Sequence, residues 1–229
     1  MDSGLYIAAS GMLAEQVRQS QLSNDLANAS TPGYKTQQSA QQSFGSMLLA
    51  NTATGQKIGT LQTNVTAGAP VTDMTPAALQ STGQPLDFGI QGTGCFAVRT
   101  AQGVRYTRDG QFTSNAQGQL TDAGGDTVLS QSGASIIVSA KGTVPSSTLG
   151  VFNITNVGEQ GNNLLTGTAA GKATGVVRQG ELEESGVDSI QTTTDMIASL
   201  RAYQAGQQVI QTIDQTMQSS ASSVGSMGG

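Results

Sequence analysis

One cysteine and no histidine restrict the chemistry of this chain more than any motif does. Cys95 lies in the short apolar run Gly94-Cys95-Phe96-Ala97-Val98. A nucleophilic thiol needs a base to become thiolate, and without imidazole neither a Cys–His nor a Ser–His–Asp arrangement can be built. Cys95 therefore reads as a small buried core residue. Zinc would lack both imidazole and a second thiol, and a lone cysteine leaves no internal disulfide. Glu181, Glu183 and Glu184 suggest a metal or acid–base cluster, but they precede a helical pattern, where carboxylates favour the positive end of the helix dipole. Gly89-Ile90-Gln91-Gly92-Thr93-Gly94 leads into a strand. It lacks the helix N-terminus that holds phosphate and reads as a hairpin turn. The triplets Asn28-Ala29-Ser30, Asn64-Val65-Thr66 and Asn153-Ile154-Thr155 match a glycosylation sequon too short to carry weight. No catalytic, cofactor-binding or metal-binding set emerges, so the sequence does not read as an enzyme.

Composition narrows the class further. The 229 residues suffice for one large domain or two small ones. Only 11% are charged and 4% aromatic, with no Trp, so the chain is short of the large side chains that fill single-domain cores. A net charge of −5 with ten scattered Lys and Arg gives no basic stripe for phosphate, which argues against nucleic acid as a partner. Nothing in the pattern suggests a small-molecule substrate. Met1-Asp2-Ser3-Gly4-Leu5 has an acid where a secretory signal carries base. No run approaches the roughly 20 apolar residues of a membrane span. The expectation is a soluble chain without direct membrane insertion, using no conventional cleavable signal if it is exported.

The elements that could position these residues are uneven. Leu5, Ala8, Ala9, Met12, Leu13 and Val17 recur at helical spacing, extended by Leu22 and Leu26. Over 3–28 this predicts a helix roughly 39 Å long at about 1.5 Å per residue. It should stop near Asn28–Ser30, because Pro32 disfavours helical geometry at Thr31, and Thr31-Pro32-Gly33-Tyr34 suits a type II turn. A second helix over 187–217 starts at the capping pattern Ser185-Gly186-Val187-Asp188. Its apolar residues Ile190, Ile197, Leu200, Tyr203, Ile210, Ile213 and Met217 fall at threes, fours and sevens. Met196, Leu200, Tyr203, Gln207, Ile210, Asp214 and Met217 keep a coiled-coil register. An ordinary amphipathic helix on a globular core is the plainer reading of the same pattern. Beyond Met217 the tail Ser219–Gly225 is low-complexity and reads as flexible.

Between the helices, residues 35–80 are rich in Gln, Thr, Ser and Gly around the small cluster Phe44, Met47, Leu48 and Leu49. They read as an extended connector with a short helix near 40–50. The strands lie in 81–175. Leu86–Ile90 and Val104–Arg108 alternate, and Asp109-Gly110 is a type I′ hairpin signal leading into Gln111-Phe112-Thr113. Asn115-Ala116-Gln117-Gly118 turns before Leu120, and Ser135–Val138, Thr143-Val144 and Val151–Ile154 supply later strands. The fold class is α+β: paired N- and C-terminal helices forming a coiled-coil-like inner domain (1–34 with 181–229), the connector (35–80), and an inserted antiparallel β-rich outer domain (81–180).

Three separated stretches carry a resemblance. Ser23-Asn24-Asp25-Leu26-Ala27-Asn28-Ala29-Ser30-Thr31-Pro32-Gly33-Tyr34-Lys35 is similar to the N-terminal signature of the bacterial flagellar rod and hook family. Gly180-Glu181-Leu182-Glu183-Glu184-Ser185-Gly186-Val187-Asp188, Leu200-Arg201-Ala202-Tyr203-Gln204 and Val209–Asp214 resemble its C-terminal signature. Pro85–Gly92 and Tyr106-Thr107-Arg108-Asp109-Gly110 resemble the β-domain motifs of its rod proteins. Gly186 departs from the Asn usual there, and Gly206, where Asn is expected, should soften the second helix. Met1-Asp2, the 27–33 string and Asp73-Met74-Thr75-Pro76 are nearer to proximal-rod proteins, whereas Tyr106–Gly110 is shared with distal-rod ones.

The resemblance implies a structural subunit of the basal-body rod. Its terminal helices would pair and polymerise into a hollow helical drive shaft that transmits torque and passes exported subunits. The implied partners are copies of itself, other flagellar rod and hook proteins and the flagellar type III export apparatus. The implied location is the flagellar basal body, reached by export into the cell envelope. The assembly interface would use Leu5, Met12, Leu22, Leu26, Asn28, Pro32, Gly33, Tyr34, Ile190, Ile197, Leu200, Tyr203, Ile210, Ile213 and Met217. The alternatives are a distal-rod or hook-associated axial component, or a β-rich secreted adhesin or phage-tail-like protein.

Overall fold

The computed structural model describes residues 2–39, 41–50, 57–139, 142–159, 161 and 163–226. The chain opens with helix α1 (Asp2–Ala27). Five strands follow: β1 (Gln37–Gln38), β2 (Gln41–Ala50), β3 (Lys57–Ala67), β4 (Val71–Thr72) and β5 (Leu79–Ser81). Then come β6 (Phe88–Gln91), β7 (Cys95–Thr100), β8 (Gly103–Thr107), β9 (Thr113–Ser114), β10 (Leu120–Thr121) and β11 (Thr127–Val128). The last strands are β12 (Val151–Glu159), β13 (Leu165–Lys172), β14 (Val176–Gln179) and β15 (Glu181–Glu183), before helix α2 (Ser189–Ser226). This is the α+β arrangement that the sequence predicts, with a helix at either end and antiparallel strands between. The chain forms two compact units: Met1–Asn24, Ser39–Pro70 and Ile190–Gly229 in the first, Asp25–Gln38 and Val71–Ser189 in the second.

In the first unit the two helices run antiparallel. Gly4 lies beside Ile213, Gly206 beside Met12, and the Ser199 hydroxyl donates to the Glu15 carboxylate at 2.7 Å. Strands β2 and β3 form a long antiparallel ribbon from Gln41↔Ala67 to Ala50↔Lys57. The short helix expected near 40–50 is therefore absent over 41–50, and position 40 lies outside the described residues. The partner strand, crowded with β-branched residues, satisfies across the ribbon the backbone groups that a helix would satisfy internally.

Two further expectations for α2 need correction. It starts at Ser189, so Ser185 does not cap it; the Ser185 hydroxyl accepts from Val187 N at 3.3 Å and donates to Asn28 O at 2.9 Å. Nor does the helix end at Met217. It continues to Ser226, with the hydroxyls of Thr212, Thr216, Ser219 and Ser220 bonded to the carbonyls four residues back rather than to the neighbouring amides of a turn.

The second unit is built on a closed set of four antiparallel strands. β12 pairs with β13, β13 with β8, β8 with β7 and β7 again with β12. Strands β11, β10 and β9 extend the sheet from β7. Phe88, Ile90, Phe96, Val98, Phe112 and Leu120 pack in its main core, where Phe96 meets Phe112 edge-on at 5.3 Å. Cys95 is completely buried in a second cluster with Tyr106 and Leu165.

The Asn115–Gly118 turn joins β9 to β10 as expected, with Gly118 at φ 73°. Asp109-Gly110 does not make a hairpin: β8 pairs with β7 and β13, and β9 with β10. Gly110 sits there for want of space, since a side chain would run into the Phe88 carbonyl. Gly92 and Gly94 turn the chain at positive φ between β6 and β7, but β6 pairs with β14 instead, so that turn is not a hairpin either. Thr143-Val144 forms no strand, and Ser135 and Ile137 make only isolated bridges.

Candidate functional site

Two places carry the residues singled out by the sequence, and each lies within one unit. In the second unit, the N-terminal, C-terminal and β-domain motifs meet at Glu183. Glu183 ends β15, where Leu182 and Glu183 are buried and Glu184 is exposed. Its Oε1 accepts from Lys35 Nζ at 2.6 Å and from Ala77 N at 2.8 Å. Its Oε2 accepts from Arg108 Nη1 at 2.7 Å. Lys35 also donates to Thr75 O at 2.6 Å, and Arg108 Nη2 to Gly92 O at 2.7 Å. All three charged side chains are at most 2% exposed. Glu183 is thus no helix-dipole carboxylate but the shared anion of a buried pair of cations.

Backbone bonds complete this junction. Thr31-Pro32-Gly33-Tyr34 forms the expected turn, with Gly33 at φ 65° and Tyr34 N bonded to Thr31 O at 3.3 Å. Gly33 N donates to Glu183 O at 2.8 Å and Gly186 N to Tyr34 O at 2.9 Å. Asn163 Nδ2 donates to Pro32 O at 2.9 Å. The Tyr34 hydroxyl donates to Asp25 Oδ1 at 2.8 Å; burial pushes the Asp25 carboxyl above its usual range despite that bond. Fixed donors occupy both oxygens of Glu183, two of them from cationic side chains, so the arrangement holds segments together. Burial also pushes the Cys95 thiol up to about 11, against the opposing pull of the Arg108 charge, and a neutral buried thiol is a poor nucleophile.

A cleft of about 430 Å³ beside the junction carries Asp73 and Asp188. Hydrogen bonds from the Thr75 hydroxyl and amide hold the Asp73 carboxyl below its usual range. Among the described residues no group of three or more His, Cys, Asp or Glu could hold a metal ion, and no helix is long and apolar enough to cross a membrane.

In the first unit the helix faces differ from the expected seam. The packed side of α2 carries Met196, Ser199, Tyr203, Gly206, Ile210, Ile213 and Met217, while Leu200, Gln207 and Asp214 are exposed. Gly206 does not soften the helix to no purpose: a Cβ there would stand 2.8 Å from Met12 Cγ, so the glycine is the seat of that methionine. On α1, Leu5, Met12 and Leu22 are half-buried.

Outside this packing lie two apolar stripes. Tyr6, Leu13 and Val17 are 61%, 64% and 48% exposed, and Ile190, Ile197 and Leu200 are 81%, 48% and 41% exposed. At about 100° per residue, Tyr6, Leu13 and Val17 fall within roughly a 40° arc. Of the remaining expected residues, Leu26, Asn28 and Pro32 are half-buried and Gly33 and Tyr34 buried, all but Leu26 close to the Glu183 junction. Sequence reasoning missed Lys35, Arg108 and Glu183 as site residues, although each stands inside one of the three motifs.

Comparison with known proteins fits this geometry. Residues 5–35 match the family model described as flagella basal body rod protein. Residues 89–162 match the flagellar hook protein FlgE/F/G D1 domain, and residues 178–223 the flagellar basal body rod FlgEFG protein C-terminal region. The flagellar hook-basal body complex protein FlhO of Bacillus subtilis is 31% identical over 98% of this chain and 99% of its own length. The flagellar basal-body rod protein FlgF of Salmonella typhimurium is 31% identical over 94% and 95%. FlgG of Bacillus subtilis, also a basal-body rod protein, is 30% identical over 93% and 96%. With three models matched in chain order and relatives aligned over almost its whole length, the chain belongs to the flagellar basal-body rod protein family.

Proposed function

We propose that this chain polymerises through the outer faces of its terminal helices into a hollow helical shaft that carries torque and lets exported subunits pass. It is a structural rod subunit of the flagellar basal body, a family whose members assemble with other rod and hook components. The observation that supports the finer reading is the pair of stripes Tyr6–Leu13–Val17 and Ile190–Ile197–Leu200, apolar yet exposed. Single exposed apolar residues are ordinary, but two aligned rows on paired helices mark a contact surface. If the stripe on one chain meets a different stripe on the next, the contact is heterologous and need not close, which generates a filament. The half-buried Leu5, Met12, Leu22, Leu26, Tyr203, Ile210, Ile213 and Met217 then maintain the helices that present those rows. Membership in the rod family supports delivery by the flagellar type III export apparatus as part of the same proposal.

Leu200→Asp tests the reading, because Leu200 is 41% exposed and its replacement spares the fold of the single chain. In a subunit contact a buried, unpaired carboxylate costs more than the roughly 2–7 kcal/mol of a neutral amide or hydroxyl unless it takes up a proton. Rod assembly and motility should be lost while the purified variant keeps its circular dichroism spectrum. Normal swimming with Leu200→Asp as the sole copy refutes the proposed surface.

A further inference from the structure

The roots of both terminal helices lie in the second unit: the last turn of α1 with residues 28–36, and residues 184–189 leading into α2. Neutral bonds tie them to the rest of the unit, among them Asn163 Nδ2 to Pro32 O, Asp73 N to Thr36 O and Glu184 N to Ala78 O, each at 2.9 Å, and the ion pairs converge on one carboxylate. Gly33 N and Lys35 Nζ reach Glu183 from the α1 side at 2.8 and 2.6 Å. Arg108 Nη1 reaches it from the end of β8 at 2.7 Å, while Arg108 is also fixed to Ile90 O and Gly92 O in the strand body. The α2 side leaves Glu183 through the chain itself, since only Glu184–Asp188 separate it from the helix. Gly186 N to Tyr34 O and Ser185 Oγ to Asn28 O join root to root without touching the strands.

We propose that Glu183 is the positioning residue through which load passes between the helix roots and the β body, resting on the torque-carrying reading above. Charged hydrogen bonds at buried sites are short and about twice as strong as neutral ones, so the two ion pairs to Lys35 and Arg108 resist displacement more than the neutral Gly33 N bond to the Glu183 backbone carbonyl does. The β body keeps its own closed strands and its Phe-rich core without Glu183. Loss of the carboxylate should therefore release the roots and spare the body.

Hydrogen exchange on the purified full chain reads the joint directly. In Glu183→Gln the amides of 33–36 and 185–187 should exchange roughly 100-fold faster, while those of 96–98 and 104–106 change less than about threefold. Lys35→Met, which leaves the Arg108 pair intact, should accelerate the roots by only about tenfold. Uniform acceleration across the unit, or none, overturns the joint. The second arm is swimming under load: cells carrying Glu183→Gln as the sole copy should build flagella but slow more steeply than wild type as viscosity rises. Unchanged speed under load, or flagella lost altogether, overturns load transmission, the latter because Glu183 would then govern assembly. The exchange arm needs no flagellum, so failure of the shaft reading leaves it standing.

Discussion

Asp109 is held against its chemistry, and replacing it should make the second unit more stable at neutral pH. Burial pushes its carboxyl from 3.8 to about 6, helped by the charges of Asp122 and Asp87. Only the Gln111 amide, donating at 2.9 Å, favours the ionised form. A folded pKa above the unfolded one means that the native state binds the proton more tightly. Stability from this group is therefore complete below about 4, declines as pH rises from there, and is gone above about 6. A shift of about 2 units corresponds to about 3 kcal/mol at 1.36 kcal/mol per unit. Partial exposure of Asp109 brings this down to about 1–2 kcal/mol.

Asn at 109 keeps the acceptor for Gln111 and never ionises. Urea unfolding of wild type and Asp109→Asn at pH 4, 5, 6 and 7 should show curves that coincide at pH 4 and separate through pH 6. The variant should end about 1–2 kcal/mol more stable at pH 7. Titrations common to both proteins, among them Asp25, whose carboxyl burial also raises, cancel in the difference. Parallel curves across this range, or a variant less stable at pH 7, would refute the assignment of burial as the dominant cause.

Two other outcomes follow from the same unit. Gly33→Ala would place a Cβ against the Arg108 carbonyl and the Asp109 nitrogen at a residue with φ 65°; backbone cannot yield as a side-chain tip can, so the loss should reach at least about 3 kcal/mol and show as a large drop in melting temperature. Cys95, fully buried with its thiol pushed up to about 11, should resist thiol reagents in the native chain and react only as fast as the unit opens; prompt stoichiometric labelling without denaturant would contradict that burial.

What the sequence made legible was local. The end of α1 and the Thr31–Tyr34 turn follow from Pro32 and Gly33 acting on their immediate neighbours, and Asn115–Gly118 likewise specifies its own turn. The Glu183 junction was not legible for the opposite reason. Glu183 bonds Lys35 across 148 positions and Arg108 across 75, and no local rule ties an acidic run to distant cations. Strand alternation in Glu181-Leu182-Glu183-Glu184 gave no help either: it would turn Leu182 inward and Glu183 outward, whereas both are buried. Asp109-Gly110 misled similarly, since a dipeptide favouring a tight hairpin was used where Phe88 leaves no room for a side chain.

The α2 seam exposes a more general limit. A strict coiled-coil register selects Leu200, Gln207 and Asp214 between shared anchors, whereas the helices approach through Ser199, Gly206 and Ile213. A contact in which Gly4 lies beside Ile213 and Gly206 beside Met12 favours small residues at those points, because close approach adds dispersion contacts that a bulky side chain would prevent. Met196, Tyr203, Ile210, Ile213 and Met217 pack around these points, while Leu13, Ile190 and Leu200 stand outside them. In a self-contained globule that exposure would waste burial, since these side chains gain nothing in water. In the proposed polymer they would be covered by the neighbouring subunit. Periodicity alone cannot separate the two sets, because both recur at threes and fours on one helix. Only the identity of what lies opposite does so, and for the exposed rows the proposed polymer puts that partner in another molecule.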